Sequence, residues 1–357
     1  MEKRKKLVGR RTGGNESLAV ATIVTLVTGI LLSACSQSMV PGGVFQSFGY
    51  GRLVAFNGKP AKDSLKYPRG LALDVSGRIF VADARNKRIV MMEALSASSW
   101  TVFPTDATPQ GDRFVDPEGI AIGPGGDLWV ADAGLQRVVR LKMADWQGGM
   151  PTFDYFSSVT VAGTSYPLSF PTGLAISGTT LYLTDPGTEF PKNTPRIFKI
   201  DISVDLASAI HVATGLALLG SKGTGKFQFS FPRGIAVDAS GEHVYITDEV
   251  NYRVVRMKSD LASSWTTLGS RGNGSRQFIS PQAIATDSSG RLYIVDSGNY
   301  WIVRIDDMIG AGWTRYGFQS SSAAITDNVY PAWVAVDPVS SAIYVTDDQN
   351  YQVAEFE

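Results

Sequence analysis

One phrase recurs six times along this chain, and that repetition restricts the fold more than any other feature. The first copy reads YPRGLALDVSGRIFVADARNKRIVMM from Tyr67, and the last reads YPAWVAVDPVSSAIYVTDDQNYQVAEF from Tyr330. The copies open on marker prolines at Pro68, Pro117, Pro171, Pro232, Pro281 and Pro331, spaced 49, 54, 61, 49 and 50 residues apart. A period near 50 residues with several short strands is typical of propeller blades rather than helical solenoids.

Each copy has the pattern of a four-stranded antiparallel blade. A short apolar run at Gly70–Asp74 predicts an inner strand, and the turn formers up to Gly77 predict a hairpin. The β-branched and aromatic run Arg78–Asp83 predicts a second strand, and Arg88–Met92 a third. A fourth strand is predicted after tryptophans such as Trp100, Trp265 and Trp313. The 37 glycines and 17 prolines of the chain suit such a turn-rich all-β protein.

The segments between copies carry a family resemblance. LGSKGTGKFQFSFP from Leu219 and LGSRGNGSRQFISP from Leu268 closely resemble the joints between NHL repeats. The resemblance covers residues 51–357 and implies a monomeric six-bladed β-propeller forming one domain. The last copy stops at Glu357 after its third strand, so we expect Arg52–Phe56 to supply the fourth strand of that blade. Such closure removes exposed sheet edges.

The first 35 residues resemble a bacterial lipoprotein signal. Six basic residues precede an uncharged run from Leu18 to Ala34, and Leu32-Ser33-Ala34-Cys35 resembles a lipobox. The resemblance implies a signal peptide over residues 1–34, a lipidated (palmitate-bearing) Cys35, and a tether over 35–50. Ser36 favours sorting to the outer membrane of the cell envelope. The alternative is an uncleaved anchor helix.

Charge and cysteine content exclude some functions. Six of the 33 basic and two of the 33 acidic residues lie in residues 1–34, so the remainder has a net charge near −4. A mildly acidic body argues against general nucleic-acid binding, which needs clustered positive charge. Cys35 is the single cysteine, so no intrachain disulfide is expected.

An aspartate ends the second predicted strand of every copy. These residues are Asp83, Asp132, Asp185, Asp248, Asp296 and Asp347. A ring of catalytic or metal-binding carboxylates is one interpretation, but a single active site needs asymmetry between blades. We therefore predict a structural role, in which these aspartates accept hydrogen bonds from turn amides and pair with Arg88, Arg137, Arg196 or Arg253.

Known catalytic motifs are absent from the sequence. Gly220–Lys226 fits GxxxxGK, but Phe227 replaces the required Ser or Thr and the segment joins two strands, so it is not a P-loop. Some NHL-type propellers are zinc lyases, but His211 and His243 do not make a three-histidine site. Six-bladed gluconolactonase-like hydrolases bind calcium at the channel, and Glu118 directly follows a marker proline. No catalytic or metal-binding residue is predicted, and a calcium or zinc hydrolase or lyase is the alternative function.

The predicted binding surface is the end of the propeller that carries the marker prolines. The residues following those prolines are Arg69, Glu118, Thr172, Arg233, Gln282 and Ala332. Arg69 and Arg233 lie three blades apart, so they should face each other across the channel, where the two guanidinium groups either hold an anion or each pair with a neighbouring aspartate. The turns add the aromatic residues Tyr252, Tyr300, Trp301 and Tyr351, which either bind a partner or pack between blades.

Blade three differs from the others by an insertion. Asp185–Pro195 contains three prolines and lengthens the turn after the second strand. Because loops carry function more often than scaffolds do, this segment is the predicted specificity element. The resulting hypothesis is a non-catalytic, lipid-anchored envelope propeller that binds a protein or glycan partner on this face.

Overall fold

The computed structural model describes residues 44–45, 64–95, 100–103, 113–146, 151–187, 194–203, 212–317 and 329–356. The chain divides into two compact units, Met1–Val40 and Pro41–Glu357, and all described residues belong to the second. Cys35, the expected closing strand at residues 52–56, His211 and the middle of the blade-three insertion therefore lie outside the described residues. Within the described ranges, no helix has the length and hydropathy needed to cross a membrane.

Blades one, two and four are four-stranded antiparallel sheets. Blade one contains β2 to β5, at Pro68–Leu73, Ile79–Asp83, Arg88–Met92 and Thr101–Phe103. Blade two contains β6 to β9, at Pro117–Ile122, Leu128–Asp132, Arg137–Lys142 and Thr152–Phe156. Blade four contains β16 to β19, at Pro232–Val237, His243–Asp248, Arg253–Lys258 and Thr266–Leu268. The predicted strands are confirmed, including the fourth strands that follow Trp100 and Trp265.

The other three blades vary this plan. Blade three has β12 to β15, at Leu174–Ser177, Thr180–Asp185, Arg196–Asp201 and Val212–Leu219, and an outer hairpin of β10, Ser158–Val161, and β11, Thr164–Pro167. Blade five has β20 to β23, at Pro281–Thr286, Leu292–Asp296, Trp301–Ile305 and Thr314–Gly317, with β1, Val44–Phe45, parallel to β23. Blade six has β24 to β26, at Pro331–Val336, Ile343–Asp347 and Gln352–Phe356.

Helical structure in the described residues is limited to single 3-10 turns. They span Ala84–Asn86, Pro124–Gly126, Ala133–Leu135, Met143–Asp145, Glu249–Asn251 and Ser297–Asn299. Four of them connect the second strand of a blade to its third. The protein is therefore an all-β six-bladed propeller, as the sequence predicted.

The six inner strands form a closed ring. Each of β2, β6, β12, β16, β20 and β24 contacts the inner strands of both neighbouring blades, and β24 contacts β2. Blade six is joined to blade one by Thr346, whose Oγ1 donates a hydrogen bond to the carbonyl oxygen of Arg69 at 2.8 Å. The expected fourth strand of blade six, at residues 52–56, lies outside the described residues, so its role in closure stays a prediction.

The hydrophobic core lies between the blades rather than inside any one of them. Successive residues of β3 point to opposite faces of blade one. Ile79 and Val81 join a cluster shared with blades five and six, whereas Phe80 joins a cluster shared with blade two. This is why all five residues of β3 are buried and why the strand lacks the alternation of a half-exposed sheet.

The repeated aspartates have the predicted structural role. All six are fully buried. Asp248 shows the pattern: its carboxylate accepts hydrogen bonds from the amides of Ser230 at 2.9 Å and Phe231 at 3.2 Å, from Asn251 Nδ2 at 2.6 Å and from Arg253 Nε at 3.1 Å. Arg88, Arg137 and Arg196 pair with the aspartates of blades one to three in the same way. The aspartate thus fixes the joint to the following turn.

Candidate functional site

The joint face is the end of the propeller that carries the marker prolines and the turns between second and third strands. Antiparallel register places five of the six marker prolines beside the aspartate that ends the second strand, as in Pro68 opposite Asp83 and Pro232 opposite Asp248. Residues that follow the marker prolines therefore lie around the channel mouth on this face, together with the residues of the 3-10 turns.

Three charged residues from three blades meet at the channel mouth. Glu118 is buried, with 4% of its surface exposed. Its Oε2 lies 3.4 Å from Nη2 of Arg233, and its Oε1 lies 4.0 Å from Nε of Arg69. The two arginines do come together across the channel as the spacing predicted, but the anion between them is the chain's own Glu118. The pairing is with a glutamate, where the sequence suggested aspartate neighbours.

A second carboxylate extends this cluster toward blade five. Glu249 Oε2 lies 3.4 Å from Nη1 of Arg233, and its Oε1 accepts hydrogen bonds from Ser280 Oγ at 2.6 Å and Gln282 Nε2 at 3.1 Å. Burial alone would lower the pKa of Arg233, but the carboxylates of Glu118 and Glu249 outweigh that effect and raise it above its ordinary value. The guanidinium of Arg233 is thus a permanently charged, internally neutralised group.

Beside this cluster lies a pocket of about 370 Å³. Its walls come from blades one, five and six, and they are formed by Tyr67, Arg69, Gln282, Ser297, Tyr300, Tyr330, Pro331, Asp348 and Gln349. Tyr300 and Tyr330 pack edge to face with centroids 5.1 Å apart, and Tyr300 remains 52% exposed. The Arg69 guanidinium stacks on the ring of Tyr67 at 4.3 Å. The pocket therefore combines open aromatic surface with amide, hydroxyl, carboxylate and guanidinium groups.

Two aspartates near the mouth have perturbed acidity. Burial raises the pKa of Asp348, and Arg69 opposes the shift. Burial also raises the pKa of Asp116, with a further contribution from Glu118 and opposition from Arg69. Both carboxyls therefore take up a proton at higher pH than an exposed aspartate does. Asp348 is the one of these two that lines the pocket.

The remaining predicted aromatic residues are separate from the pocket. Tyr252 is half-buried, with the Arg271 guanidinium 5.6 Å from its ring centroid. Trp301 packs against the core between blades four and five and has the Arg315 guanidinium 4.7 Å from its ring. Tyr351 is 43% exposed on the joint face but does not line the pocket. Of the four aromatics singled out in the sequence, the structure brings Tyr300 together with Arg69 and Gln282.

The described residues contain no cluster of three or more His, Cys, Asp or Glu side chains arranged to hold a metal ion. His243 begins β17, and its Nδ1 lies 2.9 Å from Oδ2 of Asp238, at the end of the propeller opposite the joint face. Glu118 has cationic neighbours, and two guanidinium groups repel a divalent cation at the same carboxylate. This geometry gives the calcium and zinc alternatives no support at the channel mouth.

Comparison with known proteins agrees with this architecture. The NHL repeat model matches residues 65–90, 114–141 and 229–257, which extend from the joint into the third strand of blades one, two and four. This chain is an NHL-repeat β-propeller. No curated protein sequence matches the NHL propeller.

Solved structures resemble the NHL propeller in fold. A catalytically inactive virginiamycin B lyase from Staphylococcus aureus with quinupristin is 16% identical, with a TM-score of 0.52 over 83% of this chain and 82% of that one. The calcium-binding protein regucalcin from Agrobacterium tumefaciens is 12% identical, with a TM-score of 0.59 over 88% and 95%. A nidogen/laminin complex gives 19% identity and a TM-score of 0.50 over 70% and 79%. At these identities the similarity shows the fold alone.

Sequence reasoning missed several residues of the site. Tyr67 and Tyr330 directly precede marker prolines, and Glu249 and Asp348 directly follow the repeated aspartates. Their positions in the repeat were therefore visible as a pattern. The repeat pattern does not show which blades form the pocket. Phe170 and Phe231 precede the marker prolines of blades three and four in the same way, but they do not line the pocket.

Proposed function

We propose that this NHL propeller is a non-catalytic binding module of the bacterial cell envelope, attached to a membrane through lipid on Cys35. The lipobox resemblance at Leu32–Cys35 supports the attachment and the envelope location. The observation that carries the binding role is the pocket between blades one, five and six. Fixed polar groups and open aromatic rings converge there, as they do in small-ligand sites.

A glycan end fits this pocket better than the flat surface of a folded protein. Tyrosine rings pack against the carbon-bound faces of a sugar, while their hydroxyls and nearby amides and carboxylates bind its hydroxyl groups. Tyr300 offers an exposed ring, and Gln349 and Asp348 stand beside it. A volume of about 370 Å³ lies within the range of small-ligand sites, about 300–1,000 Å³.

The alternative of a metal-dependent hydrolase or lyase receives less support. Its candidate ligand, Glu118, lies between Arg69 and Arg233 and compensates their charge. Recruiting that carboxylate for a metal would take from Arg69 and Arg233, both largely shielded from solvent, a carboxylate that they share, and would leave Arg233 with Glu249 alone. We therefore favour recognition without chemistry at this face.

The test is binding of the full chain to a panel of bacterial envelope oligosaccharides, comparing Tyr300→Ala with Tyr351→Ala. Both tyrosines are exposed on the joint face, but Tyr300 lines the pocket and Tyr351 does not. We expect Tyr300→Ala to weaken binding at least tenfold and Tyr351→Ala to change it less than twofold. An equal loss of affinity in the two variants, or binding of peptides by the protein without binding of any sugar, would contradict the proposal.

The pH dependence of binding provides an independent test. Because burial raises the pKa of Asp348, its carboxylate becomes protonated as the pH falls through a value above 3.8. Affinity that depends on this carboxylate should therefore fall over mildly acidic pH. Asp348→Asn should bind more weakly at neutral pH and lose that pH dependence, as isothermal titration at several pH values would reveal.

A further inference from the structure

The end of the propeller opposite the joint face carries three protruding aliphatic side chains. We call this end the tip face, defined by Val75, Ile309 and Val339. They are 84%, 70% and 78% exposed, which makes them the three most exposed large apolar side chains of the described residues. Single exposed apolar residues are common on protein surfaces, but three of them at turn tips on one face indicate an interaction surface.

Each of these side chains stands on a rigid turn. Asp74, Asp307 and Asp337 open the three turns, and each carboxylate accepts two backbone amide hydrogen bonds from its own turn, at 2.7 to 3.1 Å. The turn therefore holds its tip outward, and no packing within the propeller accounts for the apolar residue placed there. Small residues would satisfy the turn equally well, as Ala239 does in blade four.

The three tips lie on adjacent blades. Val75 is in blade one, Val339 in blade six and Ile309 in blade five, and the inner strands of these blades are in contact. Val75 and Val339 lie in turns between first and second strands, whereas Ile309 lies in a turn between third and fourth strands. Both kinds of turn lie at the same end of the propeller, because Leu292 at the start of the second strand pairs with Ile305 at the end of the third. The turns between first and second strands carry Pro124 in blade two, Gly178 in blade three, Ala239 in blade four and Ser288 in blade five. Among the described residues, the highly exposed branched aliphatic tips are therefore confined to one side of the tip face.

The first described strand of the chain, β1, begins at this same side. β1 runs parallel to β23, with Val44 opposite Thr314 and Phe45 opposite Arg315. Thr314 is the first residue of β23, just after the loop that carries Ile309. Because the strands are parallel, β1 begins at the tip-face end of blade five.

The N-terminal sequence supplies a reason for an apolar surface there. Cys35 and the uncharged run that precedes it stand only nine residues before Val44. Nine residues span at most about 32 Å when fully extended. An attachment at Cys35 thus holds the tip face of blade five within that distance of a bilayer.

We propose that the tip face of blades five, six and one docks on the lipid bilayer, with Val75, Ile309 and Val339 inserted among the headgroups. The proposal rests on the proposed membrane attachment at Cys35 and is independent of the glycan-binding role. Apolar side chains at the interface add to the affinity of a lipid anchor. The tip turns open on aspartates rather than on basic residues, so docking needs no anionic lipid. The joint face and its pocket then point away from the membrane.

The test uses the full chain in phosphatidylcholine vesicles that contain spin-labelled lipid. A genetically encoded fluorescent amino acid is placed at residue 339, or at residue 351 as the control, since Tyr351 is also exposed but lies on the opposite, joint face. We expect lipid quenching at residue 339 to exceed that at residue 351 at least fivefold. Adding Val75→Asn and Ile309→Asn should reduce quenching at 339 at least threefold, whereas Ala239→Asn and Gly178→Asn, in blades four and three, should leave it unchanged.

Co-flotation of the unsubstituted chain with the vesicles, compared with that of Cys35→Ser, measures the lipid attachment independently of the docking. Co-flotation with equal quenching at both positions would overturn the docking and leave the attachment standing. Failure of the unsubstituted chain to co-float would overturn both. A fluorescence change at residue 339 that follows protein concentration and not vesicles would assign the surface to a second copy of the chain, and would also overturn the proposal.

Discussion

At the scale of single residues, a buried carboxylate at the end of each second strand organises the joint that follows. In blades one to four an arginine begins the third strand and pairs with that carboxylate. Blade five has Trp301 at that position and blade six has Gln352, whose Nε2 donates a hydrogen bond to Asp347 at 2.9 Å. The aspartate is constant because the joint amides need it, whereas its partner on the third strand varies.

This difference predicts unequal costs for removing the aspartate. Asp248→Ala leaves the guanidinium of Arg253 buried beside an unfilled site, and we expect a loss of about 3–5 kcal/mol in the free energy of unfolding. Asp347→Ala leaves only neutral groups without their acceptor, and should cost about 2 kcal/mol less. Urea denaturation of both variants measures the difference. Equal losses would show that the arginine pairing contributes little.

At the scale of the element, the inner strands pack more closely than side chains allow. A Cβ atom on Gly119 would overlap the carbonyl oxygen of Thr172 in the next blade, and one on Gly173 would overlap that of Arg233. The Gly119 amide uses this close approach to donate a hydrogen bond to Thr172 at 2.9 Å. The glycine two positions after the marker proline is therefore set by the spacing of neighbouring blades, not by a turn.

We expect Gly119→Ala to force blades two and three apart and to destabilise the fold by about 1–3 kcal/mol. Gly225→Ala is the matched control, because its Cβ would meet only the flexible side chain of Gln228, and it should change stability by less than about 0.5 kcal/mol. Thermal unfolding followed by circular dichroism compares the two. An unchanged midpoint for Gly119→Ala would mean that the inner strands can separate freely.

At the scale of the whole molecule, the structure depends on a ring whose last blade meets its first. Thr346 in blade six bonds to Arg69 in blade one, just as Thr247 in blade four bonds to Gln282 in blade five at 2.9 Å. The core cluster that contains Val345 of blade six also contains Val81 of blade one. The pocket is a product of this closure, since Arg69 and Asp348 come from opposite ends of the described propeller.

Closure can be measured through these threonines. Thr346→Val removes the hydrogen bond between blades six and one while keeping the shape, and we expect a loss of about 1 kcal/mol in unfolding free energy. Thr247→Val is the reference within the ring and should cost at least as much, because Thr247 Oγ1 also accepts the Gly234 amide. No loss for Thr346→Val alongside a clear loss for Thr247→Val would indicate that the junction between blades six and one is open in solution.

The sequence by itself determined the blade number, the strand order within each blade and the structural role of the six aspartates. Those features depend on residues close together in the chain, where turn chemistry and strand periodicity act. It also placed Arg69, Glu118 and Arg233 at the channel mouth, because position in a repeat implies position on a face.

Only the tertiary structure decided that Glu118 stands between the two arginines and that Glu249 holds the second of them. It also decided that the pocket forms between blades one, five and six, and that blade three gains an outer hairpin at residues 158–167. These outcomes depend on distances across a closed ring, between groups separated by many tens of residues. A repeat pattern makes such positions equivalent, and packing in three dimensions distinguishes them.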